Sequence, residues 1–178
     1  HPEDLTFAQT LLMQNTPIRH KIGHGFDAHQ FTADRDLILG GVKVDHPHGL
    51  AGHSDADVVT HALCDAILGA LGRGDIGRHF PDSAEEFKNI YSILLLKDVI
   101  LLMNDAGFSL GNADITIICQ TPKLAPYIEL MQKNLAAACD TLSENINVKA
   151  TTTERMGFTG REEGISCHAV VFLTPKLF

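Results

Sequence analysis

Asp27 and His29 stand two residues apart in the string Gly23-His24-Gly25-Phe26-Asp27-Ala28-His29. In an extended chain, side chains i and i+2 leave the same face. A carboxylate and an imidazole therefore reach one point, the beginning of a divalent metal site. Asp57, His61 and Asp65 follow at i, i+4 and i+8, one stripe of a helix. The body of that helix is apolar, with Val58, Val59, Ala62, Leu63, Ala66, Ile67 and Leu71. Taken alone, the stripe also suits an ordinary solvated face. Joined to Asp27 and His29, His61 completes a set of two imidazoles and one carboxylate with an open fourth position. That is the pattern of a catalytic rather than a structural zinc. Asp57 or Asp65 would then orient an imidazole from behind.

Two further strings place polar groups among small residues. Gly74-Asp75-Ile76-Gly77-Arg78-His79-Phe80-Pro81-Asp82 lets backbone N–H groups approach a ligand closely, although its spacing equally suits a plain connection between helices. Thr151-Thr152-Thr153-Glu154 puts three hydroxyls at a strand end, as donors to phosphate oxygens. Glu154 adds a hard oxygen ligand of the kind Mg²⁺ prefers.

These groups need elements to hold them. Residues 19–26 read as a strand entering a His/Gly-rich turn. Residues 37–44 read as a second strand, with Gly40-Gly41 marking a bulge or a tight approach. Residues 54–71 suit a helix capped by Ser54 or Asp55 and stopped by Gly72, and 72–83 a loop. Helices are expected over 91–106 and 126–142, and strands over 114–120, 148–153 and 165–173. The uneven alternation predicts an α+β fold, a mixed four-stranded sheet with helices packed on one face. Residues 1–16 read as a separate amphipathic helix, apolar at Leu5, Ala8, Leu11 and Leu12 and broken at Asn15-Thr16-Pro17, which leaves 17–178 as the main domain.

Composition narrows the partners. With 14 Lys+Arg against 22 Asp+Glu, the net charge of −8 argues against a nucleic-acid or anionic-membrane surface. A small anion held by a metal or by backbone N–H groups stays compatible. Cys64, Cys119, Cys139 and Cys167 make no CxxC pair, which points away from a disulfide framework and toward a reducing cytosol. No signal peptide is expected. The longest apolar run, 93–103, is broken by Lys97 and Asp98 and is too short to span a bilayer.

Taken together, the strings resemble the 2-C-methyl-D-erythritol 2,4-cyclodiphosphate synthase family. The matches are IGHGFDAH (22–29), GGV (40–42), HSDADV (53–58), HAL (61–63), GDIG (74–77), FPD (80–82), LGNADITII (110–118), NVKATTTE (147–154), GFTGR (157–161) and EGI (163–165). The resemblance implies a homotrimer with active sites between subunits. It implies a substrate that is a cytidine diphosphate ester of methylerythritol carrying a 2-phosphate. That phosphate attacks the β-phosphorus, CMP leaves, and a cyclic diphosphate forms. It implies zinc on Asp27, His29 and His61 and a second cation, Mg²⁺ or Mn²⁺, on Glu154. His53 and Thr152 match transition-state stabilisers. Asp27, His29, His53 and Ser54, the turn Asp75, Ile76 and Gly77, and the loop Phe80, Pro81, Asp82, Ser83 and Ala84 match the methylerythritol side. Cys119, Gln120, Thr121, Pro122, Lys123, Leu124 and Ala125, with Thr151, Thr152, Thr153 and Glu154, match the cytidine and phosphate pocket. Phe158 and Arg161 match positions at a central cavity able to hold an isoprenoid diphosphate.

The chain departs from the pattern at Ser83-Ala84-Glu85, where the family carries Thr-Asp-Pro, so the contact of an acidic residue at 84 is lost. It also carries His168 after Cys167, where some relatives have an acid. His1-Pro2-Glu3-Asp4-Leu5 resembles the end of the same pathway's cytidylyltransferase, which implies that residues 1–16 close a fused preceding domain. A cytoplasmic location follows, or a plastid stroma in a eukaryote. Two rivals remain at this point: a zinc phosphohydrolase that activates water, and a non-catalytic module binding cytidine nucleotides or isoprenoid diphosphates.

Overall fold

Small residues where a helix lies directly on a strand set the architecture. Strand β1 (Lys21–Thr32) turns Gly23 and Gly25 toward helix α1 (Val58–Leu71). A Cβ at Gly23 would stand 1.9 Å from the Ala66 carbonyl oxygen, and one at Gly25 would stand 2.0 Å from that of Ala62. Strand and helix backbones are thus in contact. β1 does not stop at 26, as the glycines suggested, but runs on to Thr32. The computed structural model describes residues 19–81 and 83–176. The helix read over 1–16, the domain start at 17 and Asp82 lie outside the described residues.

Gly40 and Gly41 are neither a bulge nor an interruption within one strand. Both have positive φ, 55° and 69°, and they form the two-residue turn of a hairpin between β2 (Leu37–Leu39) and β3 (Val42–Val44), with Leu39 opposite Val42. Left-handed backbone at both central positions is what such a turn requires. Asp57 holds this turn. Its carboxylate accepts the N–H groups of Gly40 (2.8 Å) and Gly41 (2.7 Å), and also caps α1 through the N–H groups of Val59 and Thr60 and the Thr60 hydroxyl. The helix therefore starts at Val58 rather than at 54. Asp57→Ala is expected to cost roughly 3 kcal/mol or more, because it strands several buried donors at once. Urea unfolding checks this, and a loss under about 1 kcal/mol would be too small for a carboxylate in that role.

The main sheet has five strands, not four, in the order β4-β1-β7-β5-β6. The strand the sequence hid is β4 (Gly49–Leu50), two residues long and paired to the end of β1, too short to show a period. β5 (Phe108–Ile118) and β6 (Ile146–Thr151) run parallel, and the other neighbours are antiparallel. β7 (Gly164–Pro175) pairs with β1 from Lys21–Leu173 to Gln30–Gly164. Its inner row, Cys167, Ala169, Val171 and Leu173, is buried under α1.

Two more helices complete the core. The longer follows Tyr91 and spans Ser92–Asp105, burying Ile93, Leu95, Leu96, Val99, Ile100 and Met103. The other, Ile128–Ala138, is shorter than expected, because Ala125–Tyr127 is a 3₁₀ turn and Cys139 ends the helix. The opposite face of the sheet exposes Ile22, Phe26 and Val170, the first at 74%. All four cysteines are free and buried. Burial pushes the Cys119 and Cys139 thiols up to about 12, so neither is a ready nucleophile. Among the described residues, no helix is long and apolar enough to cross a membrane.

Candidate metal centre and active site

The inward row of β1 that begins with Gly23 and Gly25 continues to Asp27 and His29. There it reaches the first turn of α1, which presents His61. Nε2 of His29 lies 2.9 Å from Asp27 Oδ2, Nδ1 of His61 lies 3.1 Å from the same oxygen, and the two nitrogens are 3.2 Å apart. Zinc bonds of 2.0–2.1 Å at tetrahedral angles hold ligand atoms about 3.3 Å apart. The triangle is therefore close to one face of such a site, and among the described residues these three form the one group able to hold a metal ion. Burial works against ionising Asp27, but the His29 and His61 side chains outweigh it and hold its carboxyl well below the usual range. Burial likewise works against charging His29, and hydrogen bonding to Asp27 outweighs it, raising its pKa. Anion and imidazoles thus compensate one another, and a divalent cation does the same for all three lone pairs at once.

Neither aspartate of the helical stripe orients an imidazole. Asp57 caps the helix, as described. Asp65 accepts the Ile76 N–H at 2.7 Å and so ties α1 to the turn that starts a short helix, Ile76–His79. The imidazoles have other partners. His29 Nδ1–H donates to the Ala51 carbonyl at 2.7 Å, which fixes the ring with Nε2 turned to the triangle. His61 Nε2 faces the hydroxyls of Ser92 (2.9 Å) and Ser54 (3.1 Å). Arg35 clamps the intervening loop by donating to the Gly52 carbonyl at 2.6 Å and to that of Ser54.

The triad opens into a cavity of about 230 Å³. Its walls include the expected His53, Ser54, Ile76, Gly77 and Phe80, the adjoining Gly52, and also Phe87, Ile90 and Leu95, which no motif marked. His53 Nε2–H donates to the Ala84 carbonyl at 3.3 Å, so Ala84 reaches the site through its main chain. Asp75 caps the short helix through the Arg78 N–H, and the exposed Pro81 and Ser83 stand outside the wall.

A second cleft, about 350 Å³, lies at the carboxyl ends of the parallel strands β5 and β6, where open sheets commonly take ligands. Cys119, Gln120, Pro122, Lys123, Leu124, Ala125, Thr151 and Thr152 line it as expected, with Ile128 and Ala150 added. Thr121 contributes a carbonyl that accepts from the Cys119 thiol. Thr153 turns away, donating to the Met156 carbonyl at 2.6 Å. Thr152 donates to the Glu154 carboxylate at 2.7 Å. Glu154 and Arg155 both hold positive φ, 51° and 66°, a conformation costly for non-glycine residues and found preferentially at ligand sites. Phe158 lines a groove beside His29, and Arg161 pairs with Glu163 at 2.6 Å. The two clefts share no lining residue.

A profile of the YgbB family matches residues 20–174. The chain belongs to this family. A relative in Syntrophotalea carbinolica named 2-C-methyl-D-erythritol 2,4-cyclodiphosphate synthase is 62% identical over 153 residues, 86% of this YgbB-family chain and 93% of the relative. The bifunctional enzyme IspD/IspF of Desulfotalea psychrophila is 59% identical over 174 residues, 97% of this chain, but the chain spans only 45% of that relative. Among solved structures, IspF of Plasmodium falciparum in complex with CDP superposes with a TM-score of 0.79 at 34% identity, covering 89% of this chain and 97% of that one.

Proposed function

We propose that this chain converts 4-diphosphocytidyl-2-C-methyl-D-erythritol 2-phosphate to 2-C-methyl-D-erythritol 2,4-cyclodiphosphate and CMP, in the non-mevalonate route to isoprenoids. The observation that carries the reading is the Asp27–His29–His61 triangle opening on one side into a cavity. Asp27, His29 and His61 would hold Zn²⁺, and Glu154 a second divalent cation, Mg²⁺ or Mn²⁺. Metal bound there supplies Lewis-acid charge and a template for the phosphates. Both reacting phosphates belong to one substrate. The 2-phosphate oxygen forms the new bond to the β-phosphorus as the bond to CMP breaks, and a phosphate needs no general base to act as nucleophile. The protein's work is to fold a polyanion back on itself. Ser54, Ile76, Gly77 and the Phe80 loop suit the methylerythritol end, and the cleft at 119–125 suits the cytidine. His53 and Thr152 offer donors to the transferring oxygens.

The separation of the two clefts supports an active site completed by a second copy of the chain, and the exposed Ile22, Phe26 and Val170 on the outer face of the sheet support a homotrimer. Phe158 and Arg161 would then border a central cavity suited to an isoprenoid diphosphate. The match to the bifunctional relative across nearly the whole chain supports residues 1–16 as the end of a fused cytidylyltransferase domain, and the reaction suits the cytoplasm.

Phosphorus NMR of the reaction with Zn²⁺ and Mg²⁺ tests the activity. Equal amounts of CMP and cyclic diphosphate are expected, abolished by chelation; free phosphate would instead mark a hydrolase. A mixing experiment tests the shared site. His61→Ala and Thr152→Ala chains, each nearly inactive, should regain about one quarter of the sites when reassembled at equal ratio, since a heterologous interface pairs two intact halves by chance at that frequency. No recovery on mixing would place both halves in one chain.

A further inference from the structure

We infer that Ser92 is a positioning residue that, together with Asp55, fixes the proton of His61 on Nε2 and so keeps Nδ1 available for metal. The inference rests on the reading that the triad holds a divalent cation. Ser92 is completely buried at the start of its helix. Its hydroxyl donates to one oxygen of the Asp55 carboxylate, while the other oxygen accepts the Ser92 N–H at 3.1 Å. A carboxylate accepts only, so the single hydroxyl proton of Ser92 is committed to Asp55. Toward His61, 2.9 Å away, Ser92 Oγ is then an acceptor, and Nε2 must carry the hydrogen.

Ser54 is compatible with that assignment. Its Oγ accepts the Ala56 N–H at 3.1 Å and has Ser92 Oγ, 3.4 Å away, as an outlet for its own proton. It therefore does not have to protonate the imidazole from the other side. With Nε2–H engaged there, Nδ1 is the nitrogen turned to Asp27 Oδ2 and His29 Nε2, and a bound cation would take the place of the hydrogen it otherwise shares with the Asp27 carboxylate. Ser92 thus interposes a hydroxyl between a carboxylate and a ligating imidazole, a variant of the carboxylate–histidine–metal arrangement that fixes tautomer and raises ligand basicity. His29 obtains the same result from the Ala51 carbonyl.

The test is a zinc titration of the metal-free protein against a chromophoric chelator, joined to nitrogen-15 NMR of the His61 ring at mildly alkaline pH. Ser92→Ala should weaken zinc about 10- to 100-fold, as loss of an orienting partner typically does. Asp55→Asn should weaken it less, because the hydroxyl remains but is free to donate toward His61. In the zinc-loaded wild type, where the metal occupies Nδ1, the Nε2–H hydrogen should be visible and slow to exchange with solvent, and in Ser92→Ala it should be lost to fast exchange. Unchanged zinc affinity in a folded Ser92→Ala protein overturns the inference. So does the absence of a protected Nε2–H in the zinc-loaded wild type, a result that does not depend on whether any variant folds. If the wild type binds no zinc at all, the metal reading of the triad fails first and takes this inference with it.

Discussion

His61→Ala is expected to lower kcat/KM about 10³-fold or more, at full zinc in the assay, since a metal ion is worth several kcal/mol of transition-state charge stabilisation and each 1.36 kcal/mol is tenfold. The substitution leaves Asp27 and His29 as a bidentate remnant, too few ligands for a catalytic zinc. It does not threaten the fold comparably. His61 borders a cavity rather than the apolar core, and alanine is the best helix former at a position in the first turn of α1. Metal content and thermal unfolding should therefore separate. Bound zinc per chain falls, while the metal-free Tm stays near that of metal-free wild type. Activity within tenfold of wild type, with zinc demonstrably absent, would rule out a role for the triad in the reaction.

Gly25→Ala is expected to act on the fold rather than directly on the metal. Its Cβ would lie 2.0 Å from the Ala62 carbonyl oxygen and 2.6 Å from the Ala66 nitrogen. Both are main-chain atoms of α1, so no side-chain rotation relieves the contact. The helix must lift from β1, which loosens its seat on the inner row of β7 and draws His61 away from Asp27. A loss of about 4 kcal/mol follows, the range reserved for overpacked cores, or a fall in Tm of about 10–15 °C for a domain of this size. Gly69→Ala, on the same helix, is the control. Its nearest neighbour is the His24 carbonyl at 3.8 Å, so alanine there should stabilise by up to about 1 kcal/mol. Similar Tm values for the two variants would mean that the helix and strand tolerate separation.

The triad was legible because two local periods suffice to assemble it. Strand parity joins Asp27 to His29, and the apolar body of α1 dictates which of its faces meets β1. What surrounds the triad was not legible. Asp57 and Asp65 sit four residues either side of His61, yet their partners are the Gly40-Gly41 turn and the Ile76 N–H, donors on other elements that helical spacing does not reveal. Ser92 follows His61 by 31 residues, and no periodicity links the start of one helix to the first turn of another. β4 has too few residues to alternate. Gly23 and Gly25 were visible as a pair but suggested a turn; only the proximity of α1 explains why they occur inside a strand. In the second cleft, Thr153 was expected beside its neighbours, but the left-handed backbone at Glu154 and Arg155 swings the loop so that its hydroxyl serves that loop instead.

The absence of any common wall between the two clefts has a thermodynamic side. Within one chain, ligands for the two touch no common residue, so the affinity each cleft contributes is set by separate residues. A molecule occupying both gains chiefly through the high local concentration that a tether of suitable length confers on its second half. Recognition of the base and recognition of the polyol phosphate are then free to drift independently, and the span between them, rather than either pocket, becomes the parameter under tightest constraint.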